Sequence, residues 1–314
     1  MLASIPSPSQ SVLELGPLTI RAYGLMIALG VVAAVWIAQR RWAARGGDPD
    51  NIATIAMWAV PAGLIGSRVY HVLTDWRFDE GWAEPFKIWE GGLGIPGGMA
   101  AGVLVGLWVI KRNGWDRASM LDAVVPGLPL AQAIGRWGNW FNQELFGGPS
   151  DLPWAVEIDA DLAAEAGHPG VETFHPTFLY ESLWNFGLTV FLIRLDRTGR
   201  IRRGWLLAVY VVGYLTARLW LETVRIDPAT EVAGVRINIW MSIIGIAIAG
   251  GLLLWKGLNR GDDVDVDLTD GTAGDDDGSA APEGADAAGS GDAGGSVEEV
   301  EVASTVDGAA EPIE

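Results

Sequence analysis

Three arginines interrupt otherwise apolar stretches of this chain: Arg68 in LIGSRVYHVL, Arg136 in AIGRWGNWFNQELFGG and Arg218 in GYLTARLWLETVR. A charged side chain inside a membrane span costs about 2.5–3.5 kcal/mol on insertion scales, so such residues are kept for a polar interior or cavity. The planar guanidinium fork matches phosphate oxygens two at a time. The chemistry predicted from this set is therefore capture of an anion, and at membrane depth the abundant anion is a phospholipid headgroup. Arg136 carries the sharpest signal. It is followed by Gly138, Asn139, Asn142, Glu144 and Gly147, a run too rich in amides to face lipid.

Structural roles stand beside the functional ones. Arg218 and Glu222 are four residues apart, the spacing of an intrahelical ion pair. Arg68 has Asp75 two turns on, and its long stem could also carry its charge to the interface. Tyr23, next to Gly24, has the placement of an interfacial aromatic. His175 and Pro176 open a span, where proline is ordinary, and Glu181 shares a face with Thr177. The run Gly91, Gly92, Gly94, Gly97 and Gly98 around Pro96 either breaks the helix to line a cavity or lets two helices approach closely.

The elements that position these residues are apolar runs of the roughly 20 residues that a bilayer core of about 30 Å requires. Residues 19–39 and 237–255 are unbroken; 52–73, 92–110, 120–140, 177–193 and 204–221 are apolar with polar interruptions. The predicted fold class is all-α, a polytopic membrane protein with seven transmembrane helices. Basic residues fall in alternate loops: Arg40, Arg41 and Arg45; then Lys111, Arg112 and Arg117; then Arg194, Arg197, Arg200, Arg202 and Arg203. By the positive-inside bias these loops are cytoplasmic. The N-terminus then lies outside, and Lys256, Arg260 and the C-terminus inside. Residues 141–175 hold seven acids and no Lys or Arg, and are long enough for a small extracytoplasmic lobe. All three arginines sit toward the outer ends of outward-running spans. No signal peptide is read before the first span, because a basic n-region and a cleavage motif are missing.

The 314 residues include 16 tryptophans, 42 glycines and no cysteine, with a net charge of -18. Residues 261–314 carry 17 of the 39 acids and none of the 21 basic residues, so residues 1–260 carry a net charge of only -1. The acidity belongs to a tail, which reads as disordered and cytoplasmic. This distribution excludes a nucleic-acid binder built on a basic surface. The missing cysteines exclude a disulfide scaffold and a catalytic thiol in this chain. The domains read as a membrane domain at 1–260 and an acidic tail at 261–314.

Six motifs together resemble the prolipoprotein diacylglyceryl transferase family: AYGLM at Ala22 to Met26, GSRVYHVL at Gly66 to Leu73, WEGGLGIPGG at Trp89 to Gly98, GRWGNWFNQELFG at Gly135 to Gly147, HPTFLYE at His175 to Glu181, and GYLTARLWLETVR at Gly213 to Arg225. They run in order over residues 20–230 and leave the tail outside. The resemblance implies an integral enzyme of the bacterial cell membrane. It would move the diacylglyceryl group of phosphatidylglycerol onto the lipobox cysteine of a prolipoprotein signal peptide, form a thioether and release glycerol phosphate, with no cofactor and no metal. The nucleophile belongs to the substrate, which fits an enzyme without cysteine.

By position the resemblance assigns Arg136 and Arg218 to phosphate binding and leaving-group stabilisation, with Glu144 and Tyr23 in the catalytic set. Asn139, Gly147, Tyr214, Arg68, His175 and Glu222 are expected to bind substrate or orient the arginines, and Glu181 and Arg225 match as well. One departure concerns the proton acceptor. Many members have His in a His-Gly-Gly motif where this chain has Pro96, Gly97 and Gly98. Proline accepts no proton, so Glu144, Tyr23 or water takes the role, or nearby guanidiniums ionise a thiol whose unperturbed pKa is about 8.5. His71 and His175 are reserve bases. Two other classes share the arginine set. One is a lipid-binding protein or transporter, which would show paired broken helices that do not recur here; the other is a family member that Pro96 has made inactive.

Overall fold

The computed structural model describes residues 4–15, 18–74, 92 and 94–257. The acidic tail, Asp75, most of the loop that follows it and the first residues of the WEGGLGIPGG motif lie outside the described residues.

The chain is mostly helical. A hairpin of β1 (Val12–Leu15) and β2 (Leu18–Arg21) leads directly into helix α1 (Ala22–Ala43). Then come α2 (Pro49–Thr74), α3 (Ile95–Arg112), α4 (Arg117–Val124) and α5 (Gly127–Asn142). Next are β3 (Val156–Glu157), the short α6 (Ala160–Glu165) and β4 (Thr173–Phe174), followed by α7 (Thr177–Arg197) and α8 (Leu206–Val224). A small hairpin of β5 (Glu231–Val232) and β6 (Val235–Arg236) turns the chain into α9 (Ile237–Leu252), which ends in a π turn at Leu253–Gly257.

Among the described residues, six helical stretches are long and apolar enough to cross a membrane: α1, α2, α3, α4 with α5 as one stretch, α8, and α9 with its π turn. The expected count was seven. The remaining helix, α7, is 21 residues long but falls short of the others in hydropathy. The reason is that its polar residues face protein: Thr177, Glu181, Ser182, Asn185 and Thr189 are all buried, against neighbours that include α5 and α8. Large apolar side chains such as Trp36, Met57, Ile65, Leu104, Ile248 and Trp255 are instead exposed on the outer faces. An apolar shell around a partly polar interior is stable when lipid is the solvent.

Local sequence explains the helix boundaries. Asp116 caps α4 by accepting from the Ser119 backbone N–H at 2.8 Å, which satisfies one of the free donors at a helix start. Pro126 separates α4 from α5, since proline cannot donate into a continuing helix. Pro96 falls in the first turn of α3, where its missing N–H costs nothing.

Two members of the glycine run, Gly97 and Gly98, serve close packing, while Gly92 and Gly94 precede the helix and Gly91 lies outside the described residues. Gly97 and Gly98 are helical, and a Cβ built on Gly97 would stand 2.3 Å from the Gly66 carbonyl oxygen of α2, one on Gly98 2.1 Å from Ser67 Oγ. Small residues on both helices let α2 and α3 lie backbone to backbone.

Three apolar clusters hold the rest. Ala38, Trp42, Ile52, Ile110, Met120 and Ala123 join α1 to α4 at one end of the helices. Val125, Leu188, Leu192, Leu206 and Val209 join α7 to α8. Val156, Ile158, Ala163, Phe174 and Phe178 form the core of the segment between α5 and α7. Near the first cluster Arg41, read from sequence as a loop cation, is buried: its guanidinium donates to the Asp122 carbonyl at 2.9 Å and to Asp196 at 2.9 Å.

Candidate functional site: a chain of charges between two arginines

Arg136 lies two turns before the end of α5 and points its Nε at Glu181 of α7, 2.5 Å from Oε2. The other oxygen of Glu181 lies 3.8 Å from Arg225, just beyond α8. Arg225 pairs with Asp227 at 2.6 Å, Asp227 with Arg236 at 3.4 Å, and Arg236 with Glu222 at 3.1 Å. Glu222 reaches back one turn to Arg218 at 3.2 Å. The result is an unbroken alternation, Arg136, Glu181, Arg225, Asp227, Arg236, Glu222, Arg218, drawn from α5, α7, α8 and the hairpin before α9.

Burial along this chain is uneven, with Asp227 28% exposed at its middle. Its two glutamates are nearly inaccessible, 5% exposed at Glu181 and 1% at Glu222, whereas Arg136 and Arg218 at the two ends are each 21% exposed. A buried charge persists only when paired and hydrogen-bonded, and each carboxylate here has cations on both sides. Asn238 adds a hydrogen bond to Glu222 Oε1 at 3.0 Å. Four cations face three acids, so the chain carries one surplus positive charge. That surplus can be expressed where the guanidiniums meet their surroundings, at Arg136 and Arg218.

A second set of contacts trains Arg136. It donates to Asn139 Oδ1 at 3.4 Å, and Asn139 Nδ2 donates to Glu144 at 2.6 Å. Glu144 follows Gln143, whose left-handed backbone (φ 51°) ends α5, and precedes Leu145, also left-handed (φ 58°). A non-glycine residue adopts that conformation at a cost, and it turns Glu144 back toward Asn139. Tyr23, at the start of α1, lies within electrostatic reach of both Glu144 and Arg136. Its ring lies on Gly138, where a Cβ would stand 2.6 Å from Cδ2. That close approach accounts for the glycine.

The remaining predicted residues occupy the surroundings. Gly147 pairs with His175 and bridges to Arg225 through the backbone; a Cβ there would meet His175 Cβ and Val224 Cγ1 at 2.8 Å. His175 Nδ1 lies 3.1 Å from the Tyr180 hydroxyl. Tyr214 sits one turn before Arg218, stacked on Tyr210 at 5.9 Å within an apolar cluster. Arg68 donates to the Gly92 carbonyl at 3.1 Å, within the α2–α3 pair. The geometry thus brings Arg136, Asn139, Glu144, Tyr23, Glu181 and Arg225 into one group and joins Arg218 and Glu222 to it through Arg236.

Asp227, Arg236 and Asn238 were missed by sequence reasoning. Arg236 left one usable trace: a basic residue in a short outer loop runs against the bias that sorted the others. Its guanidinium also donates to the carbonyls of Glu222, Arg225 and Asp227, closing off the end of α8. Burial works against the Asp227 carboxylate, but the hydrogen bond and charge of Arg225, with the charge of Arg236, outweigh it and hold its pKa below the ordinary value. Among the described residues no group of three or more His, Asp or Glu is placed to hold a metal ion.

The chain matches a family model described as prolipoprotein diacylglyceryl transferase over residues 10–255. It is 51% identical over 253 residues to phosphatidylglycerol–prolipoprotein diacylglyceryl transferase 1 of Streptomyces coelicolor, covering 79% of this chain and 72% of that one. It is 49% identical over 253 residues to the corresponding enzyme of Streptomyces griseus, covering 79% and 76%. With that of Mycobacteroides abscessus it shares 47% identity over 275 residues, covering 82% and 80%. Both the match over most of the chain and the identity to these relatives place it: the chain belongs to the prolipoprotein diacylglyceryl transferase family.

Proposed function

We propose that this protein transfers the diacylglyceryl group of phosphatidylglycerol to the cysteine thiol of a prolipoprotein, the first step of lipoprotein maturation. The observation that carries the reading is the continuous chain of charges, whose two glutamates are buried and whose end arginines, Arg136 and Arg218, are partly exposed. The lipid phosphate binds at these guanidiniums. The thiol sulfur forms a bond to the glycerol carbon that bears the phosphate, the C–O bond to that phosphate breaks, and the electron pair leaves on glycerol phosphate. Positive charge fixed in place before the reaction stabilises the departing oxygen without reorganisation.

The thiol proton leaves toward the Glu144 and Tyr23 side of the site, with the guanidiniums lowering the pKa of the thiol. Glu181 and Glu222 orient the arginines, and Asn139 couples Arg136 to Glu144. Gly147, His175, Tyr214 and Arg68 shape the surroundings in which lipid and peptide meet.

The membrane arrangement is part of the same reading. Helix α7 serves as a seventh span, screened from lipid by its neighbours on its polar face. The N-terminus and the lobe at about 141–175 lie outside a bacterial cell membrane, the site opens toward the outer leaflet, and the tail at 261–314 is cytoplasmic. The alternation of basic and acidic loops supports this orientation. The test is incubation of the purified protein with phosphatidylglycerol and a signal peptide carrying a lipobox cysteine. A peptide mass gain of one diacylglyceryl group is expected, with none when the peptide cysteine is replaced by serine; an unmodified cysteine peptide would refute the reading.

A further inference from the structure

Beyond the charge chain, the segment between α5 and α7 forms a cleft of about 220 Å³ with the residues after α8. Its apolar walls come from Leu145, Phe146, Leu162 and Ile226, and its acidic groups are Glu165 and Asp227. Phe146, Leu162 and Ile226 also pack on the core of this segment, so the walls are held from behind.

Two features tie this cleft to the site. Asp227 belongs to both: it lines the cleft and is the middle carboxylate of the chain that runs through Arg225 and Glu181 to Arg136. The turn at 143–146 is also shared. Gln143, Leu145 and Phe146 line the cleft, while Glu144 between them is held by Asn139 on the Arg136 side. The left-handed backbone at Gln143 and Leu145 divides these side chains between the two compartments.

Size and charge select the occupant. Pockets for whole small molecules run to roughly 300–1,000 Å³, so this cleft suits a few side chains and not a two-chain lipid. Glu165 has no cation partner among the described residues, and residues 141–175 hold seven acids and no Lys or Arg. A phosphate-bearing headgroup is repelled by such a surface, whereas a neutral or basic peptide is not. We propose that this cleft receives the residues that immediately follow the acceptor cysteine, so that the peptide is held on both sides of its thiol. This rests on the transferase reading, because the downstream chain must leave the guanidiniums toward water, and this cleft is a concave surface that adjoins them through Asp227 and the turn at 143–146.

The cleft reads a short stretch of sequence by apolar contact and by charge, preferring small or basic residues over acidic ones. The turn at 143–146 also couples its occupancy to Glu144 and Asn139. A peptide that fills the cleft stiffens the mount of Arg136.

Two measurements test this. A peptide with serine in place of the cysteine and a photoreactive residue two or three positions later is irradiated with the full-length protein in phosphatidylglycerol vesicles. Crosslinks at residues 162–166 or 226–228 are expected; crosslinks only to membrane helices would overturn the proposal, and the result does not depend on turnover. Then KM is compared for a peptide ending at the cysteine and one extended by Gly-Ser-Lys-Ser. The Ala166→Trp variant, filling the cleft, should raise KM about fivefold or more for the extended peptide alone. Glu165→Lys should shift preference toward an extension containing Glu in place of Lys. Equal effects on both peptides, or none, would contradict the proposal, while release of glycerol phosphate in the same preparation reports separately on the transferase reading.

Discussion

Arg136 and Glu181 meet at 2.5 Å across the α5–α7 contact, and the glutamate is 5% exposed while the arginine is 21% exposed. The carboxylate is fixed by burial, and the guanidinium, clamped through Nε and held at Nη1 by Asn139, keeps Nη2 for another anion. Removing the carboxylate should therefore loosen the site as well as destabilise the fold. Glu181→Gln is expected to lower turnover about tenfold to a hundredfold and Glu181→Asp less. Breaking a buried pair costs about 3–5 kcal/mol, so thermal unfolding in detergent should show a lower midpoint for Glu181→Gln. A variant with normal turnover and midpoint would remove Glu181 from the account.

Arg236 offers a sharper separation of positioning from binding. It contacts Glu222 at 3.1 Å and Asp227 at 3.4 Å, both interior members of the chain. Arg236→Ala leaves both with one cation fewer and should lower kcat about tenfold with little change in the KM for lipid. In a double-mutant cycle with Glu222→Gln the two losses should be far from additive, since they break one network. Additive losses would place Arg236 outside it.

The pH dependence of stability carries a definite sign at Asp227. Its pKa is held below the ordinary value despite burial, by the hydrogen bond from Arg225 and the charges of Arg225 and Arg236. Its contribution is thus complete above the unfolded value of about 3.9 and is lost as pH falls through the lower folded value. Asp227→Asn should lower the unfolding midpoint at pH 7, and that difference should shrink below about pH 4. A constant difference across this range would assign the stabilisation to something other than ionisation.

Glycines in the family motifs divide into two kinds. A Cβ on Gly97 would press on the Gly66 carbonyl at 2.3 Å, a backbone atom that cannot swing away, whereas one on Gly24 meets nothing within 4 Å. Gly97→Ala should force α2 and α3 apart at a cost of about 1–3 kcal/mol, and Gly24→Ala should leave the unfolding midpoint within error. Equal midpoints for the two variants would mean that the α2–α3 approach is not as close as it stands.

Much of this organisation was legible in the sequence because the bilayer imposes a length and an apolar composition on each span. The apolar signal is weakest at α7, where burial against protein permits Glu181, Ser182 and Asn185 in a helix that composition alone ranks below its neighbours. Arg136, Asn139 and Glu144 were legible as a group because they lie within one short stretch. The links from Arg136 through Glu181 to Arg225, and from Asp227 through Arg236 to Glu222, are tertiary contacts between α5, α7, the end of α8 and the hairpin before α9, and no local spacing encodes them. The i,i+4 pair of Arg218 and Glu222, readable as a plain structural pair, is present at 3.2 Å and is also the end of that chain. The two readings are compatible.

The central claim, that the chain of charges presents Arg136 to the phosphate that must leave, is tested most directly by glycerol phosphate release. The purified protein and its Arg136→Ala and Arg136→Lys variants are given phosphatidylglycerol and a lipobox peptide, with correct membrane insertion checked in parallel. Loss of one charge-stabilising donor costs about 10²–10³ in rate, so release should fall at least that far for Arg136→Ala, and Arg136→Lys should not restore it because an ammonium lacks the planar fork. Release by inserted Arg136→Ala at the unsubstituted rate would contradict the account.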